Sequence, residues 1–372
     1  MNLVTLAFRN LLRRPLRTTV VAISVGLAVG SALSLLALSD SIDNTAREGF
    51  DERGADLTIT QRDASDFFSG FIPEELRTRL EQLNRVTEVA GELIMFAPVE
   101  KGRQNLLVGW SDNSVFLKKM PVSDGRIPHR DERRAAVMGV GAAAQYNKQL
   151  GDDLDILGGQ FRVVGIANYA SALNRSSIFV RLPDLQEAAL RQGQVTAFHI
   201  QLEAKTAPAE VEKLKEEITG LGRVLVTPTD QLLQNDRNMA VMRAVARSVS
   251  WIALVMGALS VLSALLMAVQ ERTREIGIMM AIGWDRPHTM ASIVIEGLLI
   301  GVCGCVLGVI VGYAASFLFS SMPMIGEYLS FKPTLHLVAP TLLSAIALCV
   351  VGSLYPAWRA TSLTPADALR RA

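Results

Sequence analysis

The chain has 372 residues, half of them apolar and 6% aromatic, with a formal net charge of +1. So apolar a composition excludes an ordinary soluble domain, and a near-neutral chain gives no electrostatic case for a nucleic-acid partner. The three cysteines, Cys303, Cys305 and Cys349, all fall in apolar runs, so no disulfide framework supports the polar region.

The N-terminal stretch, residues 1–17, reads as an amphipathic helix lying on the membrane. Val4, Ala7, Phe8 and Leu11 share one helical face, and Arg9 and Arg13 lie on another, near lipid headgroups. Residues 18–39 form the first apolar run long enough to span a bilayer. It is longer than the core of a signal peptide and is expected to stay uncleaved. Residues 40–50 continue it as a stalk helix.

The polar region, residues 40–247, alternates strand and helix signals. Leu57–Thr60, Leu93–Val99, Asn105–Trp110, Ala135–Val140, Phe161–Ile166, Ser177–Arg181 and Ala197–Leu202 are rich in β-branched and apolar residues. Pro73, Pro183 and Pro208 open helical segments, and Gly158-Gly159 marks a hairpin turn. This is an α+β domain, with joints between two lobes expected at Gly193 to Val195 and Pro121 to Arg134. Phe67, Phe68, Phe71 and Ile72 form an apolar patch, read first as lobe core. Residues 229–247 are helical in pattern and should meet the second span unbroken as a second stalk.

Residues 248–270 form the second span, 289–319 the third and 335–357 the fourth, with Pro340 at its first turn and Pro356 at its end. A short loop, 320–334, joins the last two, and 358–372 is a tail. The fold class is therefore a four-helix transmembrane protein with an α+β extracytoplasmic domain inserted between the first and second spans. Basic residues flank the first span's start, the second-to-third loop and the fourth span's end. The positive-inside rule puts these, and both termini, in the cytoplasm of an inner-membrane protein. Gly26 and Gly30 are four apart, as are Gly297 and Gly301, and Gly304, Gly308 and Gly312. Small residues at that spacing pack helices within the chain or line a dimer seam. Glu296 is the one full charge clearly inside a span, and the other spans offer it no charged partner. A hydrogen-bonding role near the headgroups fits it better than a proton relay.

No phosphate-binding loop, metal-ligand spacing or nucleophile elbow is present, so no catalytic, cofactor-binding or metal residue is expected in this chain. His129, His199, His288 and His336 are scattered. The distinctive segment is 271–288, charged and wedged between two spans, where a soluble partner could apply force. Glu271, Arg272, Arg274, Glu275 and Arg286 offer polar contacts, Ile276, Met279, Met280 and Ile282 an apolar face, and Gly277 and Gly283 close approach or a helix end, with Ala281 in the same contact segment.

Glu271 to Gly277, followed by Met280-Ala281-Ile282-Gly283, resembles the signature after the second span of FtsX-like permeases, the membrane subunits of MacB-type (type VII) ABC systems. Tyr355 to Ala360 and Pro365 to Arg370 resemble the family's closing motif, and Arg9-Asn10-Leu11-Leu12-Arg13 its beginning. Residues 139–165 resemble its periplasmic core domain. The resemblance implies a permease working as a homo- or heterodimer. A separate ATPase would bind ATP and magnesium and dock on segment 271–288, since MacB's own N-terminal ATPase has no counterpart here. It also implies mechanical transmission to the external domain, for export or extraction of a lipid, lipoprotein or amphiphilic compound, with or without a periplasmic adaptor. The family's alternative is a signal transducer that activates an external cell-wall hydrolase without transport.

Overall fold

The structure is a computed structural model that describes residues 3–64, 67–100, 102–112, 114–232, 237–282, 284–322 and 334–362. Two compact units divide it, one built mainly from the two ends of the chain and one from residues 42–242.

The helical unit begins with α1 (Leu3–Arg13) and the long α2 (Pro15–Asp51). After the other unit come α9 (Arg237–Glu271), the short α10 (Thr273–Ala281), α11 (Arg286–Ser320) and α12 (Leu335–Ser362). Four of these, α2, α9, α11 and α12, are long and apolar enough to cross a membrane. Their ends overrun the apolar runs, because a helix's hydrogen-bond ladder does not stop where hydropathy does. Pro356 does not end the last helix as expected. Ala357 and Ala360, packed with Val269, Ile276 and Ile293, hold the turns beyond it. Asp285 caps α11 by accepting from the His288 N–H at 3.2 Å, and Pro287 occupies the first turn.

Glycine lets α2 and α11 touch. A Cβ on Gly308 would lie 2.5 Å from Val29 Cβ, and one on Gly304 2.4 Å from Val25 Cγ1. Gly26, Gly30 and Gly312 continue the seam against Leu307, Val311 and Leu33. Gly297 and Gly301 face Ser353 and Cys349 of α12. All seven glycines are therefore consumed inside one chain, and a dimer seam built on them is set aside. Partners on α2 and α11 rise together in number, so these helices are parallel, whereas α11 and α12 run opposite ways.

The second unit holds strands β1 (Leu57–Gln61), β2 (Ile72–Pro73), β3 (Val86–Val99), β4 (Arg103–Trp110), β5 (Val122–Gly125) and β6 (Ala135–Gly139). Then come β7 (Asp153–Ile156), β8 (Gly159–Ala167), β9 (Ile178–Arg181), β10 (Gln194–Val195), β11 (Ala197–Leu202) and β12 (Val224–Pro228). Between them lie α3 (Leu76–Glu81), α4 (Val115–Lys118), α5 (Val140–Tyr146), α6 (Ala172–Arg175), α7 (Leu182–Ala188) and α8 (Pro208–Gly220). The main sheet runs β12-β1-β11-β3-β4-β9-β6-β8-β5, with β7 pairing β3 and β8. Among the described residues only β4–β9 and β6–β8 pair in parallel. Successive residues feed opposite faces: Leu93, Leu107 and Ile178 join one core, Ile94, Leu106 and Phe179 the other. Burial on both faces explains why these strands read as nearly continuous apolar runs.

Three expectations change here, the first at Pro73, which ends β2 rather than opening a helix. Residues 42–242 form one unit, and the expected joint at Gly193 to Val195 is instead β10, paired with β2. Segment 229–247 is not one helix. Thr229–Gln231 is a 3-10 turn, Thr229 is tied to Thr58 at 2.9 Å, and α9 starts at Arg237. Leu233, expected on the stalk's apolar stripe, lies outside the described residues. The Gly158 hairpin forms, with Leu157 also left-handed at φ 54° beside Gly158 at 79°, the pairing a type I′ turn requires.

Candidate functional site

Within the helical unit, polar and charged residues from four helices and the joints between them meet at one end. Glu296, one of α11's buried residues, accepts from Arg272 Nη2 at 3.0 and 2.9 Å and from Asn10 Nδ2 at 2.7 Å. Its carboxylate therefore has both a counter-charge and an amide donor, as a buried ion requires. Sequence reading looked for that partner in the other spans. It comes instead from the ends of helices, Arg272 between α9 and α10, and Asn10 on α1. Neighbouring Glu271 pairs with Arg17 at 3.0 Å and with Arg14. Segment 271–272 is thus joined to α11 and to the start of α2, and through Glu296 to α1.

The expected partner-contact residues divide into two groups. Ile276 and Gly277 are buried, and Met279 and Met280 pack with Ile276 on Ile293, Ala357 and Ala360. That stripe packs on the chain's own bundle, with Ile276 and Gly277 buried in it and Met279 and Met280 half-buried. An amphipathic helix turns its larger apolar side to the nearest core. Arg272 is turned inward to Glu296. Arg274, Glu275 and Ala281 are exposed, as is Glu271 beside its two arginines. Gly283 lies outside the described residues. Ile278 and Ile282, one turn apart and 45% and 74% exposed, form the outward apolar pair. Spacing of four residues was the available signal for that pair. Asn10, Arg14 and Arg17, read only as flank and motif, are the structural partners of the segment.

A second polar cluster sits in the sheet unit, where α2 ends. Arg53 Nη2 and Nε donate to Glu92 Oε1 at 2.7 and 3.0 Å, and Nη1 donates to the Gly49 carbonyl at 2.6 Å. His199 Nε2 lies 2.6 Å from Glu92 Oε2, and its Nδ1 3.1 Å from Thr58 Oγ1. Both ion-pair side chains are essentially inaccessible, 1% for Arg53 and 0% for Glu92. Burial alone would raise the Glu92 carboxyl, but Arg53 and His199 outweigh it and hold it down at about 2. The Arg53 guanidinium also stacks 4.1 Å from the Phe50 ring centre. Next to it, Glu52 accepts from Ala170 N at 2.8 Å, Ser171 N at 2.9 Å and Asn174 Nδ2 at 2.6 Å. The last two turns of α2 are therefore fixed to this unit by ions on two sides. The aromatic patch serves the same junction, since Phe67 packs edge-on to Phe50 at 4.7 Å. Among the described residues no cluster has the makings of a metal site.

Residues 18–221, more than half of the chain, match the model of the MacB-like periplasmic core domain, and residues 247–365 that of the FtsX-like permease C-terminal region. The chain is 25% identical to a macrolide export ATP-binding/permease protein MacB of Rhodopirellula baltica over 99% of its own length. It spans 62% of that protein, about three-fifths. It is 31% identical to the ABC transporter permease YtrF of Bacillus subtilis over 43% of this chain and 40% of that one. An uncharacterized ABC transporter permease of Mycobacterium tuberculosis is 26% identical across 87% of this chain and 90% of its own. Among solved structures, the periplasmic region of MacB from Actinobacillus actinomycetemcomitans aligns with 50% of this chain and 95% of itself, at 16% identity and a TM-score of 0.41.

Proposed function

The chain belongs to the FtsX-like ABC transporter permeases that carry a MacB-like periplasmic core domain, and from that membership we propose a force-transmitting subunit driven by a separate ATPase. The ATPase, with its ATP and magnesium, docks on α10 from the cytoplasm. Both termini share that side, by the distribution of basic residues, and residues 42–242 lie outside. The observation that carries this reading is the two-sidedness of α10. Its inner face is packed on α11 and α12, while Arg274, Glu275, Ile278, Ala281 and Ile282 stand outward. A partner that moves this helix must also move what it is tied to.

What it is tied to includes α2. Glu271 holds Arg14 and Arg17 at one end of that helix, and Glu52 and Arg53 lock its other end to the sheet. A continuous helix pinned at both ends passes displacement on, where a flexible linker would dissipate it. Two copies work together, and the driven motion exports or extracts a lipid, lipoprotein or other amphiphile held by the outer domain.

The test is co-purification of the tagged full-length protein from mild detergent, with its ATPase identified by mass spectrometry. Arg274→Glu and Ile278→Asp should each lose the ATPase while the protein still inserts in the membrane. Wild-type retention in both variants would overturn the docking face. A co-purifying cell-wall hydrolase in place of a transport adaptor would replace export with signalling.

A further inference from the structure

Beside the Glu296 cluster, α1, α10 and the start of α11 enclose an open cavity of ≈ 240 Å³. Arg9 and Arg13, one turn apart on α1, line one side of it, and Thr289 and Ser292 of α11 another, with Trp284 between α10 and α11. Neither arginine has an ion-pair or hydrogen-bond partner among the described residues, unlike Arg14 and Arg17 next in the chain. Two carboxylates also line the cavity. Glu296 is neutralised by Arg272, and Glu275 stands on the exposed face of α10. The Ser292 hydroxyl makes no hydrogen bond among the described residues, although Ser292 is only 7% exposed. On α1, the face next to the arginines carries Phe8 and Leu12, exposed at 56% and 62%.

We propose that this cavity is a binding site for the phosphate group of an anionic phospholipid. Arg9 and Arg13 supply the charge-assisted donors, and Ser292 a hydroxyl donor beneath them. An acyl chain lies over Phe8 and Leu12, an apolar bed that a free phosphate would leave unused. Unpaired cations, adjacent exposed apolar side chains and an amphipathic helix together describe an interfacial lipid contact. The site borders the ATPase-docking face at Glu275, which lines the cavity, while Arg274, Ile278 and Ile282 lie outside it. Only its assignment to the cytoplasmic leaflet rests on the proposed orientation.

The experiment measures lipid retention by the purified full-length protein, which needs no ATPase and so fails or succeeds independently of the docking reading. The protein is placed in nanodiscs of phosphatidylcholine with or without phosphatidylglycerol, and bound lipid is counted by native mass spectrometry after release. Wild type should retain phosphatidylglycerol selectively. Arg9→Gln with Arg13→Gln should weaken that retention about thirtyfold, since each basic residue near an anionic surface contributes about a factor of five. Both arginines are exposed, so the double variant keeps its fold. Arg274→Gln, a cation outside the cavity, should retain lipid as wild type does. Unchanged retention in the double variant, or an equal loss in Arg274→Gln, would overturn the site. Displacement of the lipid by inorganic phosphate, with phosphate bound equally in phosphatidylcholine alone, would assign the cavity to the free anion.

Discussion

Replacing Glu92 by glutamine removes one charge from a pair that water does not reach. Arg53 would then keep its guanidinium buried with no counter-ion, and breaking one side of such a pair costs about 3–5 kcal/mol. The glutamine oxygen still accepts one hydrogen bond, which places the expected loss near the lower end, about 3 kcal/mol. Proton linkage gives an independent figure. The Glu92 carboxyl is held at about 2 against an ordinary 4.5. A depressed carboxyl contributes stability that is fully present above the unfolded value and is lost as pH falls from about 4.5 towards about 2. Integrated, that is on the order of 3 kcal/mol. Hydrogen exchange on the full-length protein in detergent at pH 7 reads the opening of β3 and β11. Those amides should open ~100-fold more often in Glu92→Gln. Thermal unfolding at pH 7 and pH 3 then separates the linked part. Wild type should lose more on acidification than the variant, whose glutamine does not titrate. Glu132, also held down at about 2 by hydrogen bonding and ion pairing with Arg126, contributes equally to both proteins and drops out of the difference. A variant within 1 kcal/mol of wild type at pH 7, or one with the same acid loss, would refute the claim that this pair is desolvated and fastens α2.

Two further substitutions separate packing from transmission. Gly308→Leu forces a side chain into the space of Val29 and should cost roughly 3 kcal/mol in the bundle. The readout is loss of monodisperse protein on size exclusion, and Gly220→Ala, where a Cβ meets open space, serves as the neutral control. Glu271→Gln breaks half-exposed ion pairs and should shift stability by less than about 1 kcal/mol. It should keep the ATPase bound, yet lower the substrate moved per ATP hydrolysed. Full coupling in that variant would mean that Arg14 and Arg17 carry no load.

The long helices were legible because a bilayer-length apolar run has few other readings. Their ends were legible only in part: the continuation of the first span over residues 40–50 was read, whereas the start of α9 at Arg237 and the turns Trp358 to Ser362 beyond Pro356 were not. In the sheet unit, the β-branched strands stood out, while β7, Asp-Leu-Asp-Ile, and β12, which ends in Pro228, are short and polar or broken. The polar clusters were the least legible. Asn10 and Glu296 are 286 positions apart, and Glu92 and His199 are 107 apart. No periodicity links residues at such separations, so His199 read as one of four scattered histidines. Segment 271–288 stood out by its charge and its place between spans, but the burial of Ile276 in the chain's own bundle was not legible. Hydropathy identifies an apolar stripe without saying which neighbour it covers.

The placement of the charges bears on how a permease of this family would move. Ionic fastenings occur at the two ends of α2, whereas its middle meets α11 through glycines and short aliphatic side chains. Close glycine contacts give large dispersion with little directional preference. Val25 and Val29 seat in the notches left by Gly304 and Gly308, so α2 and α11 shift together, while the ends of α2 stay attached to the parts they serve. Had the charges been placed mid-span, any shift would break buried pairs at several kcal/mol each. Directional bonds at the termini and non-directional packing between them therefore suit α2 to travel as a rod. On that argument, Gly30→Leu, whose Cβ would lie 2.7 Å from Val311 Cγ1, should part the two helices and stop coupling without unfolding the sheet unit. ATP hydrolysis and substrate movement, measured together in reconstituted vesicles, would read that result.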